Sequence, residues 1–306
     1  MKSSIATHIS DYFYYRTTVS VFLLLTPVIL WVGIIYGGSL LSMLSLSFFS
    51  TDPFTGSINY TLTMQNFIDI VTIKTHKEII LRTVIFSTLV TICAALIAIP
   101  LGYTFVFLTP NKFKPFIFLA ILLPLWSSYL VRVYAWKLIL AKEGVITWLS
   151  EKTHTESILQ GVLDIPIIGG NSLSFSYIGT FLVFLYLWLP FMILPIIASI
   201  ERIPKNVLQA SWDLGANQWK TFLKVVIPLI IPGIVAGSIF TFSLTLGDYI
   251  TPQIVGNSRP LIGQYIYILQ TSNGNIPLAA AFSFIPIIVM GVYLIIAKRL
   301  GAFDAL

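Results

Sequence analysis

Charge is what this chain has least of. Only 10% of its 306 residues are charged, against 57% that are hydrophobic, where soluble domains carry roughly 25% charge. So few charges cannot clothe so apolar a core, and this excludes a soluble globule and implies an integral membrane protein. Cysteine is nearly absent too. The one copy, Cys93, excludes an intramolecular disulfide and reads as a small buried hydrophobe. The three histidines, His8, His76 and His154, fall in tails or outer loops at no metal-ligand spacing. There is no HExxH, no GxSxG and no GxxxxGK[ST]. No positioned nucleophile, acid–base pair or metal cluster stands out, so the chain is expected not to be an enzyme, to hold no cofactor and to bind no nucleotide. An internal repeat is missing as well, unlike the matched halves of inverted-repeat carriers.

Long apolar runs are what is there. Uncharged stretches cover residues 19–49, 83–111, 115–131, 165–200, 225–247 and 260–297. A spanning helix needs about 20 residues. The third run reaches that length by extending past Arg132 toward Leu140. The fourth and sixth open on polar, Gly/Pro-containing stretches, so their spans start near Tyr177 and Pro277. Six transmembrane helices and an all-α membrane protein follow, since runs this long exclude a barrel. The first run is too long for a signal-peptide core and reads as a retained helix. Residues 1–18 are then an amino-terminal tail, 19–49 the first span, and 80–300 a five-helix core.

Lysine and arginine orient the bundle. With the amino terminus inside, the inner segments hold ten cations (Lys2, Arg16, Lys112, Lys114, Arg202, Lys205, Lys220, Lys224, Lys298 and Arg299) against four acids, Asp11, Glu201, Asp213 and Asp304. The outer eight cations and eight acids cancel. Both termini and residues 201–224 are placed in the cytoplasm. The net charge of +6 is this inside bias and calls for no nucleic acid. The outer segments are residues 50–78, 141–176 (whose ESILQGVLDIP reads as a short surface helix) and 251–276, a polar re-entry.

The inner segment 209–228, QASWDLGANQWKTFLKVVIP, is more organised than a connector needs. Pro204 suits a helix start, Gly215 a sharp break and Asn217 a second cap. Trp212, Trp219, Phe222 and Leu223 supply apolar faces. Two readings fit: an amphipathic helix lying on headgroups, or a helix that docks on another protein.

The same segment resembles the EAA loop of permease subunits of ATP-binding-cassette importers. Gln209, Ala210, Ser211, Gly215, Val225, Ile227 and Pro228 fall on its pattern, with Gln209 replacing the usual glutamate and Ser211 an alanine. LPLWSSYLVRVYAWKLIL at 123–140, WLPFMILPI at 188–196 and LGDYITPQIVG at 246–256 are similar to the spermidine/putrescine-type permeases, the B-type partner in particular. The resemblance implies a type I importer permease fold in the inner membrane, with a cytoplasmic coupling helix contacting an ATPase dimer through Gln209, Ala210, Ser211, Asp213, Gly215 and Pro228. It also implies a second permease, an extracytoplasmic binding protein, and a polyamine or other small amine-bearing cargo. For such a polycation, the residues expected along the pathway are Asp248, Tyr249, Trp126 and Trp188, which offer a carboxylate and aromatic faces. Asp248 has an alternative as a structural acid paired with Arg132. Trp126, Tyr129, Tyr134, Trp136 and Trp188 have one in an interface belt, Tyr134 and Trp136 above all, and Trp126 and Trp188 another in core packing. A stand-alone secondary carrier is the competing class, but it would need coupling charges at mid-membrane, where these spans are nearly charge-free.

Overall fold

The computed structural model describes residues 17–52 and 55–299. Residues 1–16 of the tail expected over 1–18, with Lys2, Asp11 and Arg16, and the end of the chain with Asp304 lie outside the described residues, while Thr17 and Thr18 already belong to the first helix. Among the described residues five helices are long and apolar enough to cross a membrane, and a bent pair makes six if it counts as one span. The described chain divides into two compact units, one holding residues up to Phe67 with Asn275–Ala281, the other Ile68–Gly274 with the residues from Phe282 on.

In the first unit, α1 (Thr17–Val32) runs through a π turn at Gly33–Gly37 into α2 (Gly38–Ser47). Most described side chains of this span are exposed, as suits a helix bathed in lipid. Ser50–Thr51 and Ile58–Asn59 then pair as a two-stranded antiparallel hairpin, β1 and β2, where the sequence reads only as loop. Buried Asn66 closes the hairpin's base, its amide donating to the Ser47 carbonyl at 2.8 Å and that of Phe49 at 2.7 Å. The helix α3 (Gln65–Thr72) follows in the outer segment 50–78.

The second unit is built around α9 (Tyr177–Glu201), which packs against both α4 (Lys74–Tyr103) and α12 (Ile227–Gly247); these two also touch each other. Its start near Tyr177 is as expected: the Ser176 side chain caps it, accepting from the Gly179 N–H at 3.0 Å. Half of its side chains are buried, among them Phe184, Leu187, Met192 and Ile196. Small residues let α12 approach it. At Gly233 and Gly237 an added Cβ would collide with Ser199 and Met192, a small-xxx-small seam of the kind that brings membrane helices together. A side chain there would have to force the two backbones apart.

The second span begins at Lys74, well before the uncharged run at Thr83, and α4 continues as a π turn, Thr104–Leu108. His76 is therefore a helix residue and not a loop one. It is buried, with its ring nitrogens 3.0 Å from the Asp69 carbonyl and from the Tyr265 hydroxyl. The third span is not one straight helix. α5 (Lys114–Trp126) and α6 (Tyr129–Ile139) meet at 96° across Ser127–Ser128. Pro124 removes a backbone donor in the last turn of α5, which favours ending the helix there. The outer segment 141–176 carries α7 (Val145–Lys152) and α8 (Glu156–Leu163), the latter on the ESILQGVL stretch. The remaining helices are α10 (Lys205–Asp213), α11 (Gln218–Thr221), α13 (Ile250–Ile254), α14 (Ile262–Thr271) and α15 (Ile276–Arg299).

Candidate functional site

Two regions of the second unit hold the residues singled out in the sequence. The first is the inner loop. Pro204, extended at ψ 133°, leads into α10. This helix ends in a Schellman motif: the Gly215 N–H donates to the Trp212 carbonyl at 2.8 Å, and the Ala216 N–H to that of Ser211 at 3.1 Å. The motif needs a left-handed residue after the cap, and Gly215 supplies it at φ +79°. An added Cβ there would meet nothing within 4 Å. Backbone conformation, not crowding inside the chain, therefore explains the glycine. The Asn217 side chain then caps α11, accepting from the Lys220 N–H at 2.8 Å. Ser211 and Thr221 tie the two helices by a hydroxyl contact of 2.9 Å.

This loop is anchored on one side and bare on the other. Leu208 is buried in the core, beside Ile203 and Val226. Trp219 stacks on Phe222, which meets Tyr103 edge-on at 5.1 Å. Gln209, Ala210, Asp213, Gly215 and Pro228 are exposed, and Ser211 is half-buried by its tie to Thr221. Leu214 is 88% exposed, Trp219 66% and Trp212 50%. Pro228 stands in the first turn of α12, where its missing N–H leaves no bond unmade. A π turn at Phe222–Val226 joins α11 to that span. The loop is thus continuous with α12 in one helical rod, Gln218–Gly247.

The second region lies at the outer end of α12. Asp248 accepts four hydrogen bonds. Its Oδ1 takes the N–H of Ile250 at 2.9 Å and of Thr251 at 3.2 Å, capping α13. Its Oδ2 takes the Thr251 hydroxyl at 2.7 Å and the hydroxyl of Tyr129. Tyr129 opens α6 just after the break, so this bond pins the bent third span to the end of the fifth. The expected alternative, a pair between Asp248 and Arg132, is not formed among the described residues. Tyr129 and Thr251 have taken the carboxylate instead.

The aromatic residues separate. Trp188 is buried and stacks on Tyr129, ring centres 5.9 Å apart and 15° from parallel. One of its faces is thus covered by another ring, and a cation cannot use that face while the stack holds. Trp126 is 78% exposed and stands away from this cluster on the other side of the break. Tyr249 is 40% exposed and stacks on Tyr267 at 5.1 Å, giving a paired aromatic surface beside Asp248. Tyr134 is exposed, as a belt residue would be, whereas Trp136 packs on Tyr186 at 5.3 Å. The structure therefore joins Asp248 and Trp188 through Tyr129, pairs the neighbouring Tyr249 with Tyr267 instead, and leaves Trp126 out. Thr251 did not stand out in the sequence, and Tyr129 did so only as one of the aromatics of a possible interface belt, not as a partner of Asp248. The aspartate three residues before a threonine, just past a span, is the helix-cap signal that would have found one of them.

No family model matches the chain. It is 49% identical over 298 residues to the inner membrane ABC transporter permease protein YdcU of Escherichia coli K12, covering 97% of the chain and 95% of that protein. The chain belongs to the ABC transporter permeases. This permease is also 30% identical over 229 residues to the spermidine/putrescine transport system permease protein PotB of Salmonella typhimurium LT2, covering 73% of the chain and 74% of PotB. Its fold is that of a bacterial ABC transporter involved in import of the acidic polysaccharide alginate, with a TM-score of 0.73 at 14% identity over 96% of the permease and 98% of that chain. The expected family, the all-α permease fold and a multi-pass place in the inner membrane are therefore established. In the loop of residues 201–224, Trp212, Leu214 and Trp219 present exposed apolar side chains.

Proposed function

We propose that this permease forms half of the membrane pathway of an importer for small cationic substrates, polyamines such as spermidine or putrescine. A second permease completes the pathway, an extracytoplasmic binding protein delivers the cargo, and a dimer of ATPase subunits docks on residues 201–224 and supplies the energy. The permease itself performs no catalysis. The observation that carries the cargo reading is the 30% identity to PotB over 229 residues. The Asp248 carboxylate beside the exposed Tyr249, which stacks on half-buried Tyr267, agrees with it, because charge and aromatic faces both attract ammonium groups. Another amine-bearing metabolite would suit the same surface. A stand-alone carrier is disfavoured by the exposed apolar side chains of the inner loop, which a protein partner would cover.

The test is reconstitution with the ATPase, the second permease and the binding protein in liposomes. ATP hydrolysis should rise when putrescine-loaded or spermidine-loaded binding protein is added outside. Copurification with an ATPase but no response to either polyamine would retain the importer and discard the polyamines.

The proposed orientation puts both termini and the coupling loop in the cytoplasm. Single cysteines at the exposed positions Lys152 and Gln218, in a background with Cys93 replaced, should react with an impermeant thiol reagent from opposite faces. Labelling from one face would overturn the six-span path.

A further inference from the structure

Around Tyr129, which holds Asp248, lie donors with no acceptor. Nε and Nη1 of Arg132 and Nε1 of Trp188 are buried atoms with no hydrogen-bond partner among the described residues. Arg132 is half-buried; an ionisable group inside a membrane bundle ordinarily pairs or lines the transport route, and buried donors left without an acceptor are unfavourable. Asp248 is the carboxylate at hand, yet its four hydrogen bonds come from Tyr129, Thr251 and the Ile250 N–H. One tyrosine touches both charges. The Tyr129 hydroxyl donates to Asp248, and the Arg132 guanidinium carbon lies 6.0 Å from the centre of its ring. Both Tyr129 and Arg132 belong to the first turn of α6, directly after the 96° break. They stand on the segment that follows the bend.

We propose that Arg132 is an electrostatic gate against cations, closed while Tyr129 occupies Asp248 and opened when Asp248 turns to Arg132 instead. In the arrangement seen, the guanidinium keeps its full charge and repels a cation at close range. A reorientation of α6 at Ser127–Ser128 that breaks the Tyr129 bond frees the carboxylate. Asp248 and Arg132 then neutralise each other, and both find partners. The state that lets a cation past is thus also the one that satisfies the orphaned donors of Arg132. The choice of cargo rests on the cation-import reading; the gate itself is a statement about charge selectivity.

The complete complex is reconstituted into liposomes loaded with labelled putrescine and labelled mannitol, and efflux is followed without ATP. Arg132→Gln removes the barrier charge, and Tyr129→Phe releases Asp248. Each should raise putrescine efflux at least about tenfold, since one unit charge at close range moves a barrier by a decade or more. Mannitol efflux should not change. Arg132→Lys keeps the charge and should stay at the wild-type level. No rise in putrescine efflux in Arg132→Gln, or an equal rise of both solutes, overturns the gate. The import reading is judged separately on wild-type, ATP-driven putrescine accumulation. Failure there, with charge-selective efflux present in the variants, removes the cargo assignment and upholds the gate.

Discussion

Gly215→Trp is expected to leave the permease assembled in the membrane and to abolish substrate-stimulated ATP hydrolysis by the complex. Two effects combine. Gly215 sits at φ +79°, where a residue with a Cβ loses about 1–2 kcal/mol relative to glycine. That penalty falls on the Schellman turn between α10 and α11, and so on the angle at which Trp212 and Trp219 are presented. The indole would also project from the exposed face expected to meet the ATPase. Gly215→Asn separates the effects, because asparagine tolerates the left-handed region. It should retain most of the stimulation if backbone conformation is the main requirement. The sequence leads one to expect a need for small size; the open space around a Cβ at this position moves that need to the backbone within the chain. Normal stimulation of a normally assembled Gly215→Trp complex would return the loop to the lipid-surface reading.

The coupling loop was legible because its signals are local. Pro204 before α10, Gly215 in a left-handed turn and the Asn217 cap each act within a few residues, so their chemistry can be read in line. The spans were legible for a similar reason, since lipid demands long uncharged runs. What escaped depends on partners distant in sequence. Nothing local to Asp248 announces Tyr129, which is 119 residues away. The 96° break was hidden because an apolar run carries the same composition whether it is straight or bent. Arg132 was therefore assigned to an interface or to Asp248 by charge logic alone, and the structure gives that carboxylate to hydroxyl and backbone donors instead. His76 was placed in a loop because the span's charged first turn, Lys74–Glu78, looks like outer segment; an i,i+4 contact of 3.9 Å between those two residues is what a helix there would form.

Asp248→Asn tests the outer region. The amide oxygen can still accept from the Ile250 and Thr251 N–H groups. Its NH2 now faces the hydroxyls of Tyr129 and Thr251, which can rotate to accept in place of donating. The shape of the cap should survive, and melting in detergent should fall only modestly. The charge is lost, and uptake should fall on the order of ten- to a hundredfold, the effect of about 1.5–3 kcal/mol for one charge-assisted contact. Asp248→Ala should lose uptake and melt markedly lower, because four donors then lack their acceptor. Adding Arg132→Gln to Asp248→Asn distinguishes the roles left to this acid. A structural ion pair would make the second substitution restore stability; no such recovery is expected, because the two side chains do not meet in this structure. If Asp248 binds the cargo directly, uptake should stay low in the double variant. If it serves to neutralise Arg132, removing that charge should bring uptake back toward the wild-type rate, with melting still at the level of Asp248→Asn. Full transport in Asp248→Asn alone would exclude both roles and leave the carboxylate as a cap for α13.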